Sequence, residues 1–230
     1  MPKFKKLLRL KDHKNLIKLH GLCENFHYDS YCTGPSLIME LCRNSLYNVS
    51  CIYFSLFPHF LKVIHDSTFP IKPNQVLKFG AEISSGMRHL HRKGIIHRDL
   101  KSANILIGYD NHLKISDLDS HTIGNAQAAT ISFQGTVNWM APELIRGDKC
   151  SQKVDTWSFG IILWELLTRQ IPYADVPSQQ IMWEVGNHRL ATRIPSSCPA
   201  AVGAILAACT DFNPEERPSF DKILKMIQVI

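Results

Sequence analysis

No two of the seven cysteines stand at C-x-x-C spacing and their number is odd, which leaves neither a disulfide framework nor a zinc site to organise the chain. The eleven histidines include no H-E-x-x-H pair. No secretory signal opens the sequence, and together with the cysteine usage this points to a reducing, cytoplasmic compartment. Long apolar runs are missing too. The run Cys51-Ile52-Tyr53-Phe54-Ser55-Leu56-Phe57-Pro58 falls well short of the roughly 20 residues a membrane helix needs and carries a proline, so no membrane span is expected. Charge of one sign is in modest excess only, with a net charge of +6. Its local focus, Lys3, Lys5, Lys6, Arg9 and Lys11, has no aromatic interleaving; it reads as a solvated helix face, and no nucleic-acid partner is expected. The twelve glycines never take G-x-G-x-x-G spacing, which excludes a phosphate-cradling loop of that kind.

What the chain does have is 45% hydrophobic content over 230 residues, enough for an ordinary core in one domain or two. It also has one chemically dense stretch. Ile95-Ile96-His97-Arg98-Asp99-Leu100-Lys101-Ser102-Ala103-Asn104-Ile105-Leu106-Ile107 sets an acid, a cation and an amide between two short apolar runs, and Ser116-Asp117 follows. A rigid loop that holds a metal-bound phosphate is built this way. Asp99 can accept the proton of an attacking hydroxyl, and Lys101 can neutralise a moving phosphoryl group. Asn104 and Asp117 can offer oxygen ligands to Mg²⁺ or Mn²⁺.

The order H-R-D-x-K-x-x-N, then Asp117, then Ala141-Pro142-Glu143 resembles the catalytic domain of eukaryotic protein kinases. Ser132-Phe133-Gln134-Gly135-Thr136, Asp175-Val176-Pro177-Ser178, Ile181 to Gly186, Ile194 to Pro199 and Arg217-Pro218-Ser219-Phe220 narrow the resemblance to the mixed-lineage kinases, most of all their dual leucine zipper-bearing branch. It covers residues 3 to 230 apart from 48–70. The resemblance implies an α+β, protein-kinase-like bilobal fold, mostly the helical large lobe with a remnant of the β-rich small lobe. Residues 1–42 would be a partial small lobe with the end of helix C, two strands and the hinge; residues 43–230 would be the large lobe, with an atypical insert at 48–70. The implied activity is that of a serine/threonine kinase of MAP kinase kinase kinase type. Such an enzyme moves the γ-phosphate of ATP, with Mg²⁺, to a protein substrate, here a MAP kinase kinase of stress-activated signalling. The branch's leucine zippers lie outside its catalytic domain, so a homodimer is expected only through segments this chain lacks.

From the start of the chain, Phe4, Leu7, Leu8 and Leu10 read as the last turns of a helix. Leu16 to Gly21 and Ser36 to Glu40 read as strands, with a polar turn at Tyr28 to Pro35. By the resemblance, Met39 occupies the gatekeeper position and Glu40 to Cys42 offer hinge backbone to adenine. The family's glycine-rich loop, its strand lysine and its helix C glutamate have no counterpart. This chain alone is therefore expected to be inactive or nearly so, and a pseudokinase acting as a protein-binding scaffold is the alternative. Residues Asn48 to Pro70 admit three readings: a lineage-specific loop, an apolar patch that binds a partner, or translated non-coding sequence.

Val76, Leu77, Gly80, Ile83, Met87 and Leu90 fall at helical spacing with Gly94 as the stop. Ile105 to Ile107 and Leu113 to Ser116, joined at Asp110-Asn111, read as a hairpin that presents Asp117 beside Asn104. Where kinases carry D-F-G this chain reads Asp117-Leu118-Asp119, and a carboxylate in place of glycine is expected to impair switching and weaken catalysis. Residues Ser120 to Gln134 resemble an activation loop, with Ser132, and Thr130 second, at the phosphorylated position and Arg98 as the phosphate's partner. Thr136 is expected against Asp99 and Lys101. A helix from Lys153 to Thr168, capped by Ser151, is apolar all round and belongs in a core, so Asp155 must find partners there. In kinases the matching aspartate anchors the backbone of the loop around His97. Glu143 and Arg217 match a buried ion pair of the family, and Pro199 and Ser219 open the last two helices.

Overall fold

The computed structural model describes residues 12–27, 33–46, 64–65, 71–118, 122–123 and 137–230. Its centre is the helix α3, Lys153–Thr168, in which every residue from Val154 to Leu166 is buried. A helix without a polar stripe cannot face water, and the other helices wrap it. The helix α1, Pro73–Arg92, packs along α3. Its proline sits where no amide hydrogen is needed, Gln75 Oε1 accepts from the Lys72 amide at 2.9 Å, and Gly94, at φ +69°, turns the chain away. Two short helices follow α1's loop and hairpin, α2 at Pro142–Arg146 and, beyond α3, α4 at Ser178–Gly186. The helix α5, Ala200–Cys209, crosses α3 at Gly160, where a Cβ would lie 2.6 Å from Thr210 Cγ2. The helix α6, Phe220–Gln228, is capped by Ser219 Oγ and closes the bundle against α1. Among the described residues no helix is long and apolar enough to cross a membrane.

The strands are few and antiparallel. β1 (Leu19–His27) pairs with β2 (Thr33–Met39); β3 (Asn44–Ser45), β5 (Ile105–Ile107) and β6 (Leu113–Ile115) form a second sheet; β4 (Ile95–Ile96) pairs with β7 (Thr122–Ile123). The expected strand at 16–21 is displaced, and β1 starts at Leu19. Asn15 and Ile17 bond instead to β6 on either side of Leu16, with the Ile17 amide 2.9 Å from the Ile115 carbonyl and the Ile115 amide 3.0 Å from the Asn15 carbonyl. Gly86 permits this, because a Cβ there would meet the Asn15 carbonyl at 2.6 Å. β2 starts three residues earlier than expected and takes in the end of the anticipated turn. Residues 122–123, expected to be irregular, add a strand to β4. The expected helix at Phe4 to Leu10 lies outside the described residues, as do Thr130, Ser132, Thr136, Asp119 and all of 48–70 except Ile64 and His65.

Candidate active site

β4 delivers the chain from α1 to a loop that α3 holds in place. Asp155, fully buried, accepts from the backbone amides of His97 (2.9 Å) and Arg98 (2.8 Å) and faces His91 Nε2 at 2.7 Å. Burial pushes its carboxyl pKa up, but the His91 bond and the charges beside it win, and the carboxyl ends below its ordinary value. Arg98 stands at φ +66°, a conformation that costs a non-glycine residue about 1 kcal/mol or more; the two Asp155 bonds hold it there.

His97 is buried and its tautomer follows from its neighbours. Nε2 lies 2.9 Å from the Ser116 carbonyl, which can only accept, so Nε2 carries the proton. Nδ1 is then free to accept from the Asp99 amide at 3.3 Å. One imidazole thus joins the loop that bears Asp99 to the end of β6 that bears Asp117.

A single helical turn at Ser102–Asn104 completes the loop. Asn104 Nδ2 donates to the Asp99 carbonyl (2.8 Å), to Asp99 Oδ2 (3.1 Å) and to Asp117 Oδ2 (3.2 Å). Lys101 Nζ lies 2.7 Å from the same Asp99 Oδ2. The Asn104 carbonyl accepts from the Ser116 amide at 2.9 Å and from Ser116 Oγ at 3.0 Å, locking the turn to β6. Asp117 is exposed at φ +54°, while Leu118 is buried. Four polar side chains from two segments therefore meet at one point. Asp99 Oδ1 is buried and has no partner among the described residues, so the carboxylate keeps an acceptor in reserve.

Asp117 and the amide oxygen of Asn104 are hard oxygen donors. Mg²⁺ takes few protein ligands when phosphates and water fill its octahedron, and this pair fits that demand. Met39 ends β2 half-exposed, and the Glu40 amide is committed to the Lys18 carbonyl at 2.9 Å. The Glu40 carboxylate accepts from the Lys18 amide (2.7 Å) and pairs with Lys114 Nζ (3.2 Å). The Glu40 carbonyl and both backbone groups of Cys42 take no backbone partner among the described residues, which leaves the donor and acceptors a purine edge requires.

Farther from the loop, Arg217 grips Glu143 with both nitrogens, at 2.6 and 2.9 Å, and lies over the Trp157 ring at 5.1 Å. Periodicity singled out Asp155 on α3 but passed over Glu165, a second buried carboxylate on the same helix. The signal was available: a lone acid among Leu163, Trp164, Leu166 and Leu167.

A model of the protein tyrosine and serine/threonine kinase family matches residues 2–227. The chain is 40% identical to mitogen-activated protein kinase kinase kinase 12 of Rattus norvegicus over 97% of its length, and 38% identical to mitogen-activated protein kinase kinase kinase 13 of Homo sapiens over the same share. It is 35% identical to mitogen-activated protein kinase kinase kinase dlk-1 of Caenorhabditis elegans over 95% of its length. The chain spans 23%, 21% and 21% of those proteins respectively.

Proposed function

This chain belongs to the protein tyrosine and serine/threonine kinase family, and from that premise we propose that it is catalytic sequence of a serine/threonine kinase of the MAP kinase kinase kinase type. The substrate class is a protein hydroxyl, in the first place that of a MAP kinase kinase in a cytoplasmic stress-activated cascade. The observation that carries the proposal is the chain of hydrogen bonds that joins Lys101 to Asp99, and Asn104 to both Asp99 and Asp117.

ATP with Mg²⁺ supplies a transferable phosphoryl group and the charge that shields it. Asp117 and Asn104 would offer oxygen ligands to the metal, and Lys101 would set a positive charge beside the transferred phosphoryl group. Asp99, whose side chain keeps 17% exposure, would take the proton of the incoming hydroxyl as its oxygen bonds to the γ-phosphorus and ADP leaves. The Glu40 carbonyl and the Cys42 backbone meet the adenine edge. Ser132 or Thr130 would carry the regulatory phosphate, paired with Arg98.

A purified sample given labelled ATP, Mg²⁺ and a catalytically dead MAP kinase kinase tests this. Incorporation is expected to be slow, because the sequence has no glycine-rich phosphate loop. It is expected to fall a further 10²- to 10⁴-fold in Asp99→Asn, as loss of a general base requires. Equal label from the two proteins, or none from either, would leave the scaffold role as the reading to pursue.

A further inference from the structure

Glu165 takes no part in the four-residue constellation, yet three separate segments converge on its buried carboxylate. Ser102 Oγ donates to Oε1 at 3.0 Å, Trp139 Nε1 donates to Oε2 at 2.7 Å, and His65 Nε2 lies 3.4 Å from Oε1. The chemistry of each donor is restrictive. An indole nitrogen can only donate, so Oε2 must accept. His65 Nδ1 faces the Arg169 carbonyl at 3.1 Å, which can only accept, so Nδ1 is protonated. Desolvation makes this an expensive place for an acid, and burial raises the Glu165 carboxyl pKa despite its donors. An apolar side chain would suit the rest of α3 without that cost.

The donors' positions show what the acid holds. Ser102 stands between Lys101 and Asn104 and opens the turn that presents both. Trp139 ends the turn Val137–Trp139 just before Ala141-Pro142-Glu143, and its carbonyl is also taken by α3, through Ser158 Oγ at 2.8 Å. His65 is one of the two described residues of the atypical insert. We propose that Glu165 is a positioning residue for phosphoryl transfer: its carboxylate registers the Ser102–Asn104 turn against the Val137–Trp139 turn, and so keeps Lys101 and Asn104 directed at Asp99. It acts through Ser102 and touches no reactant. The activity consequence rests on the kinase reading, whereas the registration of the two turns does not.

Two substitutions at one position separate positioning from mere stability. In Glu165→Gln the amide oxygen can still accept from Trp139, and the amide nitrogen can donate to a Ser102 hydroxyl turned about. In Glu165→Leu both bonds are lost. Amide hydrogen exchange read by mass spectrometry on the full chain is expected to speed up at least tenfold across residues 101–105 and 137–140 in the leucine variant, with α1 and α6 unchanged. The glutamine variant is expected to stay within threefold of the parent. In the phosphotransfer assay kcat is expected to drop at least tenfold in Glu165→Leu with KM for ATP within twofold, and to recover in Glu165→Gln. Unchanged exchange in the two turns of the leucine variant overturns the proposal, and so does a glutamine variant as impaired as the leucine one. If the parent shows no phosphotransfer, the kinase reading fails while the exchange result still decides the registration. Should Glu165→Leu not fold, Ser102→Ala and Trp139→Phe each remove one arm, and normal exchange in both would overturn it equally.

Discussion

Single residues decide the geometry of the loop, and Asp155 shows how. It replaces solvent for two consecutive backbone amides that no regular element can satisfy, and it lets Arg98 keep a positive φ. Asparagine has nearly the same shape but turns a donor toward one of those donors. Asp155→Asn is therefore expected to cost about 1.5–3 kcal/mol at neutral pH, the range for a hydrogen bond to a charged group. The pH dependence has a definite sign. The folded carboxyl sits below its ordinary value, while the unfolded one titrates at about 3.9. The stabilisation is thus complete above that pH and lost as pH falls through the folded value. In denaturant titrations the gap between parent and Asp155→Asn should be constant from about pH 5 to 7 and narrow below about pH 4; a gap that widens in acid contradicts it. At this scale much was legible, because His97, Asp99, Lys101, Asn104 and Asp117 are named by spacing and chemistry. The His97 tautomer and the spare oxygen of Asp99 were not, since both depend on which neighbour faces which atom.

Elements were legible where a local pattern dictates them. α1, α3, α5, α6 and the β5–β6 hairpin follow from periodicity, caps and turn residues. β1 was misplaced because the register of Asn15 to Ile17 is set by β6, almost a hundred residues away, and no window on the sequence contains that partner. The tie between α2 and the start of α6 is of the same non-local kind, and it rests on one side chain. Arg217 is buried, forms two bonds with Glu143, gives Nε to the Asp211 carbonyl at 2.7 Å and lies over Trp157. Removing it strands Glu143, 4% exposed, without its counter-charge. Arg217→Ala should lose about 3–5 kcal/mol, which for a domain of this size is a fall in melting temperature of roughly 6–20 °C. Calorimetry checks this, and a shift under 2 °C refutes it.

At the scale of the molecule, the atypical insert at 48–70 poses the remaining question, and two buried residues, Leu46 just before it and Ile64 within it, answer part of it. Leu46 and Ile64 are both fully buried, and the Ile64 amide donates to the Leu46 carbonyl at 3.2 Å. His65 and the carbonyl of Ile64 are in turn engaged by Arg169 at the end of α3. The two points between which residues 47–63 run are therefore already joined by the core, and that junction would persist with a much shorter connection. Closing a loop a third as long costs roughly 1 kcal/mol less in chain entropy. Replacing residues 49–61 by a short Gly-Ser linker should thus raise the melting temperature by about 2–4 °C, on the usual conversion for a domain of this size. Ile64→Ala should lower stability by about 2–5 kcal/mol, as emptying a packed site does. That contrast separates a docking patch from the other two readings of the insert. A gain on deletion with unaltered activity and partner capture fits sequence the fold does not use. A gain in stability with loss of a binding partner marks an apolar patch kept for docking. A fall of 5 °C or more would show that the residues between Leu46 and Ile64 belong to the core after all, and would overturn the expectation drawn from those two residues.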